Sequence, residues 1–160
     1  MSKYIVNEWS WVAFVPEIVE DVTKVTVAQI EAAVVLTPLC VSLNASAQGN
    51  TVPTPDISSL FETSIPGTSQ ASFSADFYRD DVKADDIAWA TLARGTKGTF
   101  FICRYGVPRG EKPALGQDIE VWPVIVTART AANMASNTAQ TFTSTCSVPK
   151  VPGEDAVVVA

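Results

Sequence analysis

The sequence predicts a mainly β fold, a β-sandwich or part-barrel with one flanking α-helix over about residues 85–94. Three observations predict it. Valine far outnumbers leucine, and serine and threonine are abundant, so the composition favours strands. Several segments alternate apolar and polar residues with a period of two, whereas only one segment carries the start and stop signals of a full helix. The 160 residues are 47% hydrophobic and 18% charged, a composition that folds and a length that fits one domain.

The elements follow in order. In residues 1–25, Trp9, Trp11 and Phe14 are interleaved with polar residues and followed by Pro16. This pattern makes either one short strand or an arm with aromatic anchors that docks on another chain. Thr26 and Gln29 have the spacing of a capping box, opening one or two helical turns through Ala33. Residues 34–45 are strand formers interrupted by Pro38, which marks an edge, a bulge or a break between two strands. Residues 46–56 (SAQGNTVPTPD) read as a loop, of a length that is usually functional or ordered on contact.

Residues 59–63 (SLFET) start a strand, and Ile65-Pro66-Gly67-Thr68 has the residues of a type II turn. In residues 72–78, Phe73, Ala75 and Phe77 point one way, and Ser72, Ser74, Asp76 and Tyr78 the other, as in a half-buried antiparallel strand. The charged run 79–86 leads into the helix. Asp85 and Asp86 suit its first turn, Arg94 its last turn and Gly95 the position after it. Ile87, Ala88, Trp89 and Leu92 form its core side.

Strands follow at 98–105, 118–130 and 141–148, separated by a Pro/Gly loop and a small polar spacer. The total is about six to eight strands by their alternation. The domain division is an N-terminal arm 1–25, a β-sandwich body 26–150 and a flexible tail 151–160, whose prolines, Gly153, Glu154 and Asp155 favour no element.

Little in this inventory carries chemistry. The chain has no histidine, which removes Ser-His-Asp and Cys-His nucleophile systems and HExxH zinc sites. Cys40, Cys103 and Cys146 are too scattered for a zinc site and read as small buried side chains. The pairs Asp80–Asp81 and Asp85–Asp86 lie in a hydrophilic run, where carboxylates are solvated rather than forced into a dyad. Gly95-Thr96-Lys97-Gly98-Thr99 has glycines and a lysine, but it follows a helix and precedes a strand, the reverse of a phosphate loop. Trp89 and Trp122 read as core or interface. No catalytic residue, metal or cofactor is assigned, and the expectation is a protein that is not an enzyme.

The formal net charge is −6, from 11 basic and 17 acidic residues, so no basic footprint for gripping nucleic acid is visible. No stretch has the ~20 apolar residues of a membrane span. The N-terminal stretch, broken by Asn7 and Glu8, does not read as a secretory signal, which points to folding in a cytoplasm.

The order of elements in the second half is the most specific feature. DDIAWATLARG leads into TFFICRYG, then a Pro/Gly loop, LGQDIEVWPVIVTAR, a polar spacer and TFTSTCSVP, with VTVAQIEAA ahead of them. Over roughly residues 24–150 this order resembles the major tail (tail tube) proteins of long-tailed, siphovirus-type bacteriophages. The resemblance implies a structural virion protein assembled in the host cytoplasm. Copies would form hexameric rings that stack into a hollow tube conducting viral DNA without binding it specifically, and without membrane insertion. Implied partners are other copies, a tape-measure protein, a tail terminator and tail-tip proteins.

In that frame Gln48, Asn50, Thr51, Pro53 and Asp56 become candidates for contacts between subunits or rings. Trp9, Trp11 and Phe14 become arm anchors, and Asp76, Asp80, Asp81, Asp118 and Glu120 become candidates for an acidic lumen. The alternative is a capsid decoration or receptor-binding β-sandwich module.

Overall fold

The computed structural model describes Lys3 and residues 5–160. Nine strands build one sheet: β1 (Trp11–Val15), β2 (Lys24–Thr26), β3 (Val34–Val35), β4 (Cys40–Pro53), β5 (Ser64–Tyr78), β6 (Lys97–Cys103), β7 (Asp118–Ala131), β8 (Thr141–Ser147) and β9 (Gly153–Val159). Two short helices accompany them, α1 (Val27–Ala32) and α2 (Ile87–Thr91). The main path runs β3-β1-β6-β7-β8-β5-β4, and β9 pairs with both β7 and β2. All ladders are antiparallel except β2–β9.

The two ends of that path, β3 and β4, are separated in sequence by only residues 36–39. A 3-10 turn, Thr37–Leu39, holding Pro38, bends the chain from one sheet edge to the other. The Leu36 carbonyl accepts from the backbone N–H groups of Leu39 and Cys40, both at 3.0 Å. Thr37 fastens the turn to β1, its Oγ1 accepting from the Val12 N–H at 2.9 Å. Pro38 is therefore a break between two strands, and the sheet rolls into a part-barrel.

All seven strands of the rolled sheet face one core. Phe14, Phe73, Phe77, Phe100, Trp122 and Phe142 are fully buried there, with Leu36 at the turn and Ala88 and Leu92 from α2. Phe73 stacks on Phe100 with ring centroids 4.5 Å apart, and Phe14 tilts against the same ring at 4.9 Å. Offset and tilted aromatic pairs of this kind add to the energy of burial.

A second core lies on the other side of β1, β6 and β7. Trp11, Ala13, Val15, Phe101, Cys103, Ile119 and Val121 pack under Val25, Ile30, Ala156 and Val158 of β2, α1 and β9. Successive residues of a strand face opposite sides, so β1, enclosed on both, is buried throughout. Strands covered on both faces lose the apolar–polar alternation of a one-sided sheet. This is why WVAFV is the centre of the fold rather than part of an arm: Trp11 and Phe14 are core residues of different cores, while Trp9 remains half exposed. The arm's Met1, Ser2 and Tyr4 lie outside the described residues.

Other expectations are refined or reversed. The Thr26–Gln29 capping box forms with both hydrogen bonds, Thr26 N–H to Gln29 Oε1 at 2.9 Å and Gln29 N–H to Thr26 Oγ1 at 3.3 Å. α2 is shorter than 85–94. Asp86 does not cap it, because its carboxylate accepts from Arg79 Nε at 2.7 Å instead. Ile87 is exposed, whereas Ala88 and Leu92 are buried.

Residues 46–53 are not a loop but the outer half of β4. Pro66-Gly67 is not a turn but part of β5, opposite a bulge between Gly49 and Thr51. Residues 59–63 are not a strand but lie in the connection between β4 and β5. The tail 151–160 holds a strand, β9, over Gly153–Val159.

Candidate assembly surfaces

The β4–β5 hairpin changes character along its length. Near the barrel, Phe73, Ala75 and Phe77 of β5 are buried. Beyond Ala47, every residue of β4 through Pro53 and every residue of β5 from Ser64 to Gln70 is exposed. A two-stranded ribbon with neither face covered is marginal by itself in water. Two prolines, Gly49 and the bulge read locally as a loop, so the sequence signal misses a strand held by its cross-strand ladder.

The connection at the end of this ribbon is a closed tip. The Thr54 N–H donates to the Thr63 carbonyl at 2.7 Å, and the two threonine hydroxyls meet at 2.9 Å. Asp56 accepts from the Ser58 N–H and hydroxyl at 2.9 and 2.8 Å, which hold its carboxyl below the usual carboxylate range. Ile57 and Leu60 are fully exposed and Phe61 nearly so. Of the predicted contact residues, Gln48, Asn50, Thr51 and Pro53 lie along the exposed ribbon and Asp56 in its tip.

A second surface is the outward face of β4, β5 and β8. Residues paired across a ladder share a face. Opposite the buried set Phe73, Ala75 and Phe77 stand Ser72, Ser74 and Asp76, alongside Ser42, Asn44 and Ser46 of β4 and Thr143, Thr145 and Ser147 of β8. Among the described residues no element covers this face, and it carries no Lys or Arg. Asp76 sits in its middle, accepting from Ser42 Oγ at 2.8 Å and Thr143 Oγ1 at 2.5 Å.

The other acidic candidates lie elsewhere. Asp80 and Asp81 are in the loop after β5, where Asp80 accepts from the Val82 N–H at 2.8 Å. Asp118 accepts from the Tyr105 hydroxyl at 3.0 Å, and Glu120 forms an ion pair with Arg104. The five carboxylates thus occupy three separate places rather than one patch.

A third feature, at the far end of β5, has no counterpart in the sequence reading. The guanidinium groups of Arg79 and Arg129 lie 3.8 and 3.9 Å from the ring centroid of Trp89 on α2. The signal is absent from local sequence because the three residues come from three elements.

The thiols are poorly suited to chemistry. Burial pushes Cys103 up to about 12 and Cys146 to about 11; burial together with Asp76 pushes Cys40 to about 11. At neutral pH all three stay as thiols, and the thiolate is the nucleophile.

Over residues 3–160 the sequence matches the family described as phage tail tube protein. The chain belongs to that family. It is a structural tail tube protein and a component of the virion tail. No curated protein matches the sequence.

Two solved structures share the fold. One, titled as the virion of a native gene transfer agent particle, aligns over 78% of this chain and 89% of its own, with TM-score 0.54 and 16% identity. The other, titled as the tail of an empty gene transfer agent particle with C6 symmetry, aligns over 78% and 87%, with the same TM-score and identity. Among the described residues, no helix of this tail tube protein is long and apolar enough to cross a membrane.

Proposed function

We propose that six copies close into a ring and that rings stack into the hollow tube conducting viral DNA during infection. The observation that carries this reading is the unsupported β4–β5 ribbon with its apolar tip, a device that makes sense only against another chain. β4 is also an edge strand, whose outer backbone groups are available for pairing with a neighbouring copy. The number six rests on the C6 symmetry named for the similar gene transfer agent tail. The protein does no catalysis in this role. Its partners are other copies, a tape-measure protein, a tail terminator and tail-tip proteins, and assembly takes place in the host cytoplasm.

The uncovered hydroxyl face is our assignment for the lumen wall. With one carboxylate and no cation, this face lacks the positive charge that grips DNA phosphates. Of the acidic candidates, only Asp76 lies on that face; Asp80, Asp81, Asp118 and Glu120 then lie off the wall. Asp76→Lys would place a ring of cations in the lumen, and DNA ejection from particles built with it is expected to slow. Ejection at the unaltered rate would remove the electrostatic role.

The ring-and-tube reading is tested by shortening the ribbon. Replacing residues 50–68 by Asn-Gly joins Gly49 to its cross-strand partner Ser69 through a two-residue hairpin turn. The removed residues bury nothing in either core, so the variant should melt within about 3 °C of the parent. Concentrated parent protein should form tubes in negative-stain micrographs, and the shortened variant none. Normal tubes from the variant would overturn the role of the ribbon. A fixed small oligomer of the parent at every concentration would favour a capsid decoration or receptor-binding module.

A further inference from the structure

We propose that the ribbon tip of one copy docks on the Trp89 end of the next copy, with Glu62 pairing to Arg129. This rests on the tube reading above and names the acceptor that it leaves open.

The two sites lie at opposite ends of β5. Its N-terminal end, Ser64, leaves the tip, and its C-terminal end, Tyr78, leads directly into Arg79. Fifteen residues of strand place these ends roughly 45–50 Å apart. The ladder through β8 puts Arg129 at that second end, since Ser144 pairs with both Arg129 and Ala75. A knob and a receptor at opposite ends of one strand cannot meet within a copy. They meet when copies are set end to end, a heterologous contact that propagates.

The two ends match in chemistry. The tip, residues 54–63, holds two carboxylates and no cation, and exposes Ile57, Leu60 and Phe61. Asp56 is engaged by Ser58, whereas Glu62 has no hydrogen-bond or ion partner among the described residues. At the far end, Arg79 is neutralised by Asp86. Arg129 stacks on Trp89 and donates to its backbone carbonyl, but it has no carboxylate partner among the described residues. It is only partly buried, so donors remain for an incoming carboxylate. In the loop that joins Arg79 to Asp86, Val82 is exposed and offers the knob an apolar contact. A guanidinium held flat on an indole is already oriented, which lowers the entropy lost on pairing.

Charge exchange tests the pair. Glu62→Lys lies at an exposed position and is expected to fold as the parent does, yet it should raise the critical concentration for tubes at least about tenfold, one factor-of-ten step being ~1.4 kcal/mol. Arg129→Glu should do the same, and the double variant Glu62→Lys/Arg129→Glu should recover most of the loss. Circular dichroism checks that each variant is folded. Tubes forming normally from folded Glu62→Lys, or no recovery in the folded double variant, would overturn this contact while leaving the tube reading in place. Absence of tubes from the parent would overturn both.

Discussion

Deleting residues 153–160 is expected to open the second core rather than trim a loose end. β9 pairs with β7 through Asp118↔Val157 and Ile119↔Ala156, and among the described residues it is the one strand that pairs with β2. Ala156 and Val158 are buried in the second core against Val25, Ile30, Ile119 and Val121. Burying one valine contributes about 1.5–3 kcal/mol. Removing β9 also uncovers its neighbours and leaves β2 without a strand to pair with. A total loss on the order of 5 kcal/mol follows, against a whole-domain stability of about 5–15 kcal/mol. The truncated chain should show a broad thermal transition and bind a hydrophobic dye while the part-barrel strands persist. A sharp transition within about 5 °C of the parent would mean that the second core does not depend on β9.

The contrast between this strand and its sequence shows what was legible. GEDAVVV has a glycine, two carboxylates and no full alternation, and it becomes a strand because β7 offers an edge and a core needs a cover. Long-range pairing of that kind leaves no local trace. The same physics hides WVAFV, whose two buried faces erase the period of two, and the ribbon, whose prolines and glycines mimic a loop.

Where one face was wet, the sequence was readable. Residues 72–78 and 141–148 alternate because one side meets the core and the other meets water, whereas 118–130 shows its period although its middle is buried on both sides. The capping box of α1 is local chemistry and forms as expected. At the start of α2, Arg79, seven residues upstream, takes the Asp86 carboxylate that was expected to cap the helix.

The candidate sites follow the same rule. The segment holding Gln48 to Asp56 stood out through its composition, although the element it forms is different. Asp76 was visible through the polar side of an alternating strand. The Arg79–Trp89–Arg129 stack was invisible, since no spacing in sequence joins a strand end, a helix and a second strand.

Gly98→Ala is expected to be the most damaging single-methyl change on the barrel side of the molecule. Gly98 lies in β6 opposite Val124, beside the end of β1, which pairs with β6 on its other edge. A Cβ there would come within 2.2 Å of Phe14 Cζ and 2.5 Å of the Val15 carbonyl oxygen. Phe14 has no room to retreat, since it is fully buried and packed on Phe100. The carbonyl belongs to β1, which the β6 ladder holds from Trp11 to Val15. Relief requires moving β1 between two cores at once, so the cost exceeds that of ordinary overpacking. We expect about 3 kcal/mol or more, lowering Tm by roughly 10 °C in a chain of this length. Gly95→Ala is a useful contrast, because its Cβ would meet nothing within 4 Å and only the backbone angle, φ +87°, resists it. If Gly98→Ala melts no lower than Gly95→Ala, then β1 is free to shift and the two cores are not rigidly shared across it.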